Sequence, residues 1–238
     1  MSVRFGIVVF PGTNCDLDTK AALEASGVES DFVWHTATRL DGFECVILPG
    51  GFAHGDYLRT GAIAAFSPII PALRRHIDAG GLVIGICNGF QVLLEMGVLP
   101  GAMMRNRSLR FICRFVHVLV EQADTPFTMN CTPGQVLRMP ISHFEGNYYI
   151  DEAGLKSLID NRQVVLRYCD AEGKCTPESN PNGAAFNIAG ICNADRNVFG
   201  LMPHPERASD SLLGSVDGKL IFESIAGSVS GRSIGQAG

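Results

Sequence analysis

A run of apolar and β-branched residues ends at a cysteine that lies between two glycines, in the segment Leu82–Gln91. The first half of this segment is typical of a buried strand, and the amphipathic run that begins at Phe90 is typical of a helix. Residues without a Cβ atom relieve crowding in a sharp strand-to-helix turn, so the spacing Gly85-x-Cys87-x-Gly89 predicts a nucleophile elbow. Such a turn lifts the Cys87 thiol to the start of a helix, where unpaired N–H groups and the helix dipole favour the thiolate.

The elbow belongs to a longer alternation of strands and helices. The first half is predicted to contain strands at Arg4–Phe10, Asp31–His35, Phe43–Leu48 and Leu82–Cys87, and helices at Asp16–Ser26 and Ile63–Ala79. The second half is predicted to contain strands at Arg114–Glu121, Gln135–Ile141, Val164–Cys169, Ala184–Cys192 and Asn197–Met202. Alternating elements are typical of a parallel sheet with function at the carboxyl ends of its strands. We therefore expect a doubly wound, mainly parallel, flavodoxin-like α/β sheet with added antiparallel strands in the second half.

A base for the thiol is predicted at His204, which has a proline on each side. The prolines favour an extended conformation, in which Glu206 faces the same side as His204. Its carboxylate can then bond one imidazole nitrogen while the other faces the thiol, which gives a triad of Cys87, His204 and Glu206. His143 is the alternative base, because Glu145 follows it at the same spacing.

A second buried strand, Phe43–Leu48, runs directly into Pro49–Phe52, which contains two consecutive glycines. The backbone N–H groups of such a turn can face a developing oxyanion, because a substrate carbonyl approaches closely where side chains are absent. A strand that ends in Gly-Gly is common, and so are inert buried cysteines and loop histidines. These segments therefore indicate acyl chemistry only when they are taken together.

Composition excludes several other functions. The 238 residues are 46% hydrophobic and carry a net charge of −5, which argues against a nucleic-acid or anionic-membrane surface. No apolar stretch approaches the ~18 residues of a transmembrane helix, and no secretory pattern begins the chain, so we expect a soluble, cytoplasmic protein. The eight cysteines lack zinc spacing and close pairs, and no phosphate-binding loop is present, so we expect reduced thiols, no metal and no bound nucleotide.

The three functional segments resemble the class I (triad) glutamine amidotransferases, in which they occur in this order. The closest likeness is to one family among them, the glutaminase subunits of phosphoribosylformylglycinamidine synthase. It extends from Phe5 to about Ser224. The motifs that carry it are Pro49–Ala64, Gly85–Gln91, Asn180–Gly183, Asn187–Ile191 and Met202–Arg207.

The resemblance implies that Cys87 attacks the side-chain amide of glutamine, forms a glutamyl thioester and releases ammonia. It assigns Gly51, Phe52 and Asn88 as oxyanion-hole residues and Gln91 and Asn106 as glutamine-binding residues. ATP, Mg²⁺ and formylglycinamide ribonucleotide would bind a separate synthetase subunit, and a small accessory subunit would join the assembly. Residues 1–227 would form a single domain, followed by a flexible tail at residues 228–238.

Four residues depart from what this family usually has. A small polar residue and an aromatic residue are usual where Ala53 and His54 stand, and glycine is frequent where Phe144 and Arg196 stand. Two other functional classes remain open from the sequence. One is a cysteine hydrolase or stress-type thiol protein of the same architecture, and the other is a non-catalytic regulatory subunit that has kept the fold.

Overall fold

The computed structural model describes residues 3–235, and of residues 232–235 only the backbone. The strands are β1 (Arg4–Val9), β2 (Glu29–Trp34), β3 (Cys45–Leu48), β4 (Leu82–Ile86), β5 (Ala102–Met104), β6 (Ile112–Val120), β7 (Val136–His143), β8 (Asn147–Tyr149), β9 (Val164–Cys169), β10 (Ile188–Cys192) and β11 (Val198–Leu201). The helices are α1 (Asp16–Ala25), α2 (Ile70–Asp78), α3 (Asn88–Glu95), α4 (Glu152–Asp160) and α5 (Lys219–Gly235). Short 3₁₀ turns lie at Ala53–Asp56, Ala64–Phe66, Ala185–Asn187, Pro205–Ala208 and Ser211–Leu213.

One nine-stranded sheet runs through the molecule in the order β2-β1-β3-β4-β11-β10-β9-β6-β7. Its first five strands pair in parallel, and every residue of β3 and β4 is buried, as in a sheet that is covered on both faces. The strand-and-helix alternation predicted for the first half is confirmed. The carboxyl ends of β3, β4 and β11 lie side by side, because these strands are adjacent and parallel.

The antiparallel part of the sheet begins at β11. This strand pairs in parallel with β4 on one side and antiparallel with β10 on the other. The remaining strands β10, β9, β6 and β7 pair antiparallel in that order, which confirms the antiparallel extension predicted from the second half. Two short strands, β5 and β8, form a separate small sheet. Strand β11 therefore joins the two halves, and His204 follows it directly.

Some elements of the structure differ from the predictions. The helix expected at Ile63–Ala79 forms only from Ile70, because Ser67 is extended (φ −65°, ψ 151°) before a proline, which disfavours the helical conformation. The strand expected from Ala184 starts at Ile188 after a 3₁₀ turn. Helix α4 was not predicted, and its N-terminus is capped by the Asp151 side chain, which accepts a hydrogen bond from the Gly154 N–H (2.7 Å).

The last helix overlaps the tail that the sequence predicts to be flexible. Helix α5 continues to Gly235, and Val229 is buried against the core, so the start of the predicted tail packs on the domain. Residues 236–238 lie outside the described residues. Along residues 3–235, none of the helices combines the length and the apolar character that crossing a bilayer requires.

Candidate active site

The Cys87 thiol lies on a strained turn between β4 and α3. Its backbone is left-handed (φ 50°, ψ −103°), which is unusual for a residue with a side chain and is maintained by the structure around it. The Cys87 N–H donates to the carbonyl oxygen of Leu201 (2.8 Å), which fixes the turn to the end of β11. A Cβ atom on Gly85 would lie 2.6 Å from the carbonyl oxygen of Gly89, so the glycines are required by packing. The elbow predicted from the sequence is present.

His204 and Glu206 form a buried pair beside this turn. The His204 Nδ1 lies 2.5 Å from Glu206 Oε1, and the exposed fractions of the two residues are 2% and 1%. The His204 N–H donates to the carbonyl oxygen of Pro140 (2.8 Å) on β7, which holds the backbone that carries the ring. Because the Glu206 carboxylate accepts a hydrogen bond from Nδ1, the neutral ring carries its proton on Nδ1. Its Nε2 can then accept a hydrogen bond from another partner. Within the described residues, Nε2 has no hydrogen-bond partner.

Electrostatics tie this pair to the thiol. Burial lowers the pKa of His204, but the charges of Glu206 and Cys87 outweigh it and raise the pKa well above 6.5. The Cys87 Sγ is directed to the carbonyl oxygen of Ser142, 3.7 Å away. A closer contact between this thiol and His204 can form with substrate bound, since catalytic hydrogen bonds often tighten only in the complex.

His143, the alternative base, is held in a different environment. It is 3% exposed, and its Nδ1 lies 3.0 Å from Asn106 Oδ1. Burial, together with the nearby charge of His204, lowers the pKa of His143 to about 3, so its ring is neutral. Glu145 does not orient this ring as Glu206 orients His204, because its Oε2 accepts a hydrogen bond from the Thr60 hydroxyl (3.0 Å). The geometry therefore favours His204 as the base.

The turn after β3 approaches the thiol through Gly51. Its φ is +149°, and a Cβ atom there would lie 2.7 Å from Thr13 Cα, so glycine is required. The Phe52 N–H donates to the carbonyl oxygen of Gly12 (2.9 Å) and is therefore already paired in this structure. The Asn88 N–H lies in the first turn of α3, where backbone donors have no acceptor within the helix. Gly51 and Asn88 are thus better placed as oxyanion donors than Phe52, whose assignment stays a prediction.

A cavity of about 220 Å³ opens over the thiol. Its lining residues are Gly51, Phe52, Asp56, Thr60, Cys87, Gln91, Arg105, Ser142, His143, Phe144 and Glu145. Gln91 lines the cavity, and its side chain accepts a hydrogen bond from Asn88 Nδ2 (2.9 Å) and donates one to the Glu145 carbonyl (2.6 Å). Asn106 is fully buried outside this lining, where it contacts His143 and accepts a hydrogen bond from the Gly146 N–H (3.1 Å). Direct glutamine binding by Asn106 stays a prediction, and its contacts favour a role in holding the loop at residues 143–146.

The Cys15 thiol is a feature that sequence reasoning did not find. Its Sγ and ligand atoms of His204 and Glu206 all lie within 4.8 Å of one another. Burial raises the pKa of Cys15, and the thiol accepts a hydrogen bond from Arg207 Nη2 (3.2 Å) and donates one to Asn14 Oδ1 (3.2 Å). A metal ion would have to displace these bonds and the His204–Glu206 bond. The available signal was that Cys15, like Cys87, follows a predicted parallel strand and starts a predicted helix.

Comparisons with known proteins agree with this geometry. The profile of the CobB/CobQ-like glutamine amidotransferase domain matches residues 2–219. The phosphoribosylformylglycinamidine synthase subunit PurQ of Moorella thermoacetica is 54% identical, over 94% of this chain and 95% of that protein. PurQ of Salinibacter ruber is 55% identical, over 97% and 98%. The chain belongs to the PurQ family.

A solved structure extends the PurQ comparison to three dimensions. A chain in the structure of PurLQS from Thermotoga maritima has a TM-score of 0.85 and 45% identity to this chain, over 95% of this chain and 99% of that one. The predicted resemblance is confirmed, and membership of the PurQ family does not favour the cysteine-hydrolase or non-catalytic alternatives.

The four departures from the usual PurQ pattern lie in turns. The Ala53 N–H donates to Asn88 Oδ1 (3.0 Å), while His54 is left-handed (φ 53°) and contacts the ring of His35 edge-on. Phe144 lies under the Arg105 guanidinium at the rim of the cavity. Arg196 is left-handed (φ 58°), a conformation that glycine adopts more readily, and its side chain pairs with Asp124 (2.8 Å).

Proposed function

We propose that this chain is the glutaminase subunit of a phosphoribosylformylglycinamidine synthase, which hydrolyses L-glutamine and delivers ammonia to a synthetase subunit. That subunit uses the ammonia and ATP to convert formylglycinamide ribonucleotide to formylglycinamidine ribonucleotide, a step in purine biosynthesis. The observation that carries the proposal is the buried His204–Glu206 pair beside a thiol that opens into a small cavity. Membership of the PurQ family supports the identity of the acceptor reaction.

The first half of the reaction forms a thioester. His204 takes the proton of the Cys87 thiol, in keeping with its raised pKa, and the thiolate attacks the amide carbon of the glutamine side chain. The N–H groups of Gly51 and Asn88 stabilise the developing oxyanion, and each such donor is worth about 10²–10³ in rate. His204 then gives its proton to the amine as the C–N bond breaks, so that neutral ammonia leaves and a glutamyl thioester remains on Cys87.

The second half regenerates the thiol. His204 is now neutral and takes a proton from water, whose oxygen attacks the thioester carbonyl. The C–S bond breaks, glutamate leaves, and the imidazolium and thiolate are restored. Glu206 accepts the hydrogen bond from Nδ1 and holds the ring so that Nε2 faces the reacting atoms. The new carboxyl group loses its proton to solvent, so the sum is glutamine plus water to glutamate, ammonia and a proton.

A synthetase partner is part of this proposal, and ATP and Mg²⁺ would bind to it. The exposed side chains next to the cavity support docking there: Phe52, Tyr57 and Leu58 are 47%, 72% and 80% exposed. We also propose a small accessory subunit. The name of the PurLQS assembly carries a third letter, S, besides L and Q, which is in keeping with a third subunit. A cytoplasmic location is favoured because thiolate chemistry at Cys87 needs a reducing compartment.

The test is affinity labelling with the diazoketone analogue of glutamine, 6-diazo-5-oxo-L-norleucine, followed by mass spectrometry. We expect an adduct on Cys87 that glutamine prevents, with the isolated chain or with the synthetase partner added. The exposed Cys113 is the internal control, since iodoacetamide should modify it whether or not glutamine is present. If Cys87 reacts with iodoacetamide but not with the diazoketone in either state, the proposal is wrong.

A further inference from the structure

Two carboxylates face the cavity over the thiol, and the reaction steps at the thiol do not use them. Asp56 comes from the turn after the oxyanion segment, and Glu145 comes from the loop after β7, so the fold brings them together from distant parts of the chain. Arg105 is the third charged residue in the lining. His143 is neutral because burial lowers its pKa to about 3. With two carboxylates and one guanidinium, the cavity wall thus has an excess of negative charge.

This arrangement is unfavourable without a cation. Burial and then the charge of Glu145 raise the pKa of Asp56 to about 6, although the Asn88 amide, 3.3 Å away, stabilises the carboxylate. Arg105 compensates only in part: it lies 3.7 Å from Glu145, and its side chain is 67% exposed to screening solvent. A cation that enters the cavity would be attracted by both carboxylates.

We propose that Asp56 and Glu145 bind the α-ammonium group of the amide substrate and thereby select free amino acids over other amides. This inference rests on the proposed function, because it concerns the same cavity. The substrate amide reacts at Cys87, and its α-ammonium, at the other end of the molecule, lies against the carboxylates. The α-carboxylate then faces the largely exposed guanidinium of Arg105 at the rim.

Two side chains link this charge recognition to the reaction centre. Asn88 follows the nucleophile, and its amide contacts both Asp56 and Gln91. Gln91 in turn donates to the backbone of Glu145 (2.6 Å). The carboxylates are therefore held at a fixed place relative to the elbow. A substrate that lacks the ammonium group would leave them unpaired, and sites built around such a pairing reject the incomplete analogue strongly.

The experiment compares L-glutamine with glutaramate, which has the same amide and carboxylate but no amino group. Steady-state ammonia release is measured with the assembled enzyme for the wild type, Asp56→Asn and Glu145→Gln. We expect the wild type to prefer glutamine by about 10²-fold or more in kcat/KM. Each variant should lose about tenfold or more with glutamine, mainly through KM, while glutaramate turnover falls less, so the preference shrinks. Glu95→Gln is the matched control, since Glu95 lies on α3 but pairs with Arg59 away from the lining.

A second measurement does not depend on the folding of any variant. Glutamine should protect Cys87 of the wild type from iodoacetamide at far lower concentration than glutaramate or N-acetylglutamine does. Equal protection by glutamine and these analogues, or a preference that both variants keep, would overturn the inference. Failure of the proposed function would look different: the wild-type assembly would release no ammonia from glutamine at all.

Discussion

Two strands of the parallel half end near a cysteine that starts a helix, and both thiols lie close to His204. Cys15 starts α1 with an ordinary backbone conformation (φ −104°, ψ 13°), and its thiol is paired with Asn14 and Arg207. Cys87 starts α3 with a strained, left-handed backbone, and its thiol opens into a cavity. Position at a helix start is therefore not sufficient for a nucleophile. The strained turn and the free space in front of the thiol distinguish the two.

The strongest test of this contrast removes the Cys87 thiol. Cys87→Ala should abolish glutamine hydrolysis, with a loss of about 10⁶-fold, because no other group can form the thioester. The melting temperature should change little, since the substitution deletes one atom at the edge of a cavity. Ammonia release and thermal unfolding measure the two effects. Residual turnover of the mutant at more than a thousandth of the wild-type rate would contradict the assignment of the nucleophile.

The next largest effect is expected at Glu206. Its carboxylate orients the proposed base for Cys87, whereas Cys15 only lies next to it. Glu206→Gln should lower kcat by about 10³–10⁴-fold, because the ring loses its orientation and the charge that raises the His204 pKa. A shift in the pH profile of kcat should accompany the loss. If kcat stays within tenfold of the wild type, Glu206 does not orient the base.

The Glu206→Gln variant also tests how the stability of the protein depends on pH. A raised folded-state pKa of His204 stabilises the protein fully below about pH 6.5, the unfolded value, and this contribution disappears as the pH rises through the folded value. The difference in melting temperature between the wild type and Glu206→Gln should therefore be largest near pH 6 and should shrink at alkaline pH. A difference that grows with pH would contradict a raised pKa of His204 in the folded protein.

Backbone packing at the elbow predicts an intermediate effect of substitution, here on the free energy of unfolding. Gly89→Ala would place a Cβ atom against the carbonyl group of Leu48, so we expect the free energy of unfolding to fall by about 3 kcal/mol. Gly227→Ala on α5 is the control, because a Cβ atom there meets nothing within 4 Å and alanine is the better helix former. Denaturant unfolding of both variants measures the difference. Equal stabilities would remove the packing argument for the elbow.

The smallest effect is expected at Cys15. Cys15→Ala should lower kcat by about tenfold with KM unchanged, because the His204–Glu206 pair loses a neighbour that limits its movement. Cys15→Ser should recover most of the rate, since a hydroxyl can accept the Arg207 hydrogen bond. A loss as large as that of Cys87→Ala would instead mean that both thiols take part in the chemistry.

Local patterns explain why the sequence predicts the triad. The glycines around Cys87 and the prolines around His204 restrict the backbone within a few residues, so the elbow and the base can be recognised without knowing the fold. The parallel sheet is equally visible, because its strands are apolar on both faces.

Long-range packing explains what the sequence did not predict. The closeness of Asp56 to Glu145, and of Cys15 to Glu206, depends on segments that only the folded sheet brings together. The bond from the Phe52 N–H to Gly12 is of the same kind, and it changes which donors are available to an oxyanion. The late start of α2 was locally visible in Ser67 and the proline that follows it, but helical periodicity obscured that signal.

The ladder between β4 and β11 also has a mechanical consequence. The proposed nucleophile and base, Cys87 and His204, follow neighbouring strands in matched register, with Ile86 opposite Leu201. The Cys87 N–H extends that ladder by one more bond. We therefore expect motion of the sheet to carry the thiol and the imidazole together. We therefore expect a partner that alters the rate of glutamine turnover to act on the opposite wall of the cavity, which consists of the turn at His54–Leu58 and the loop at residues 143–146.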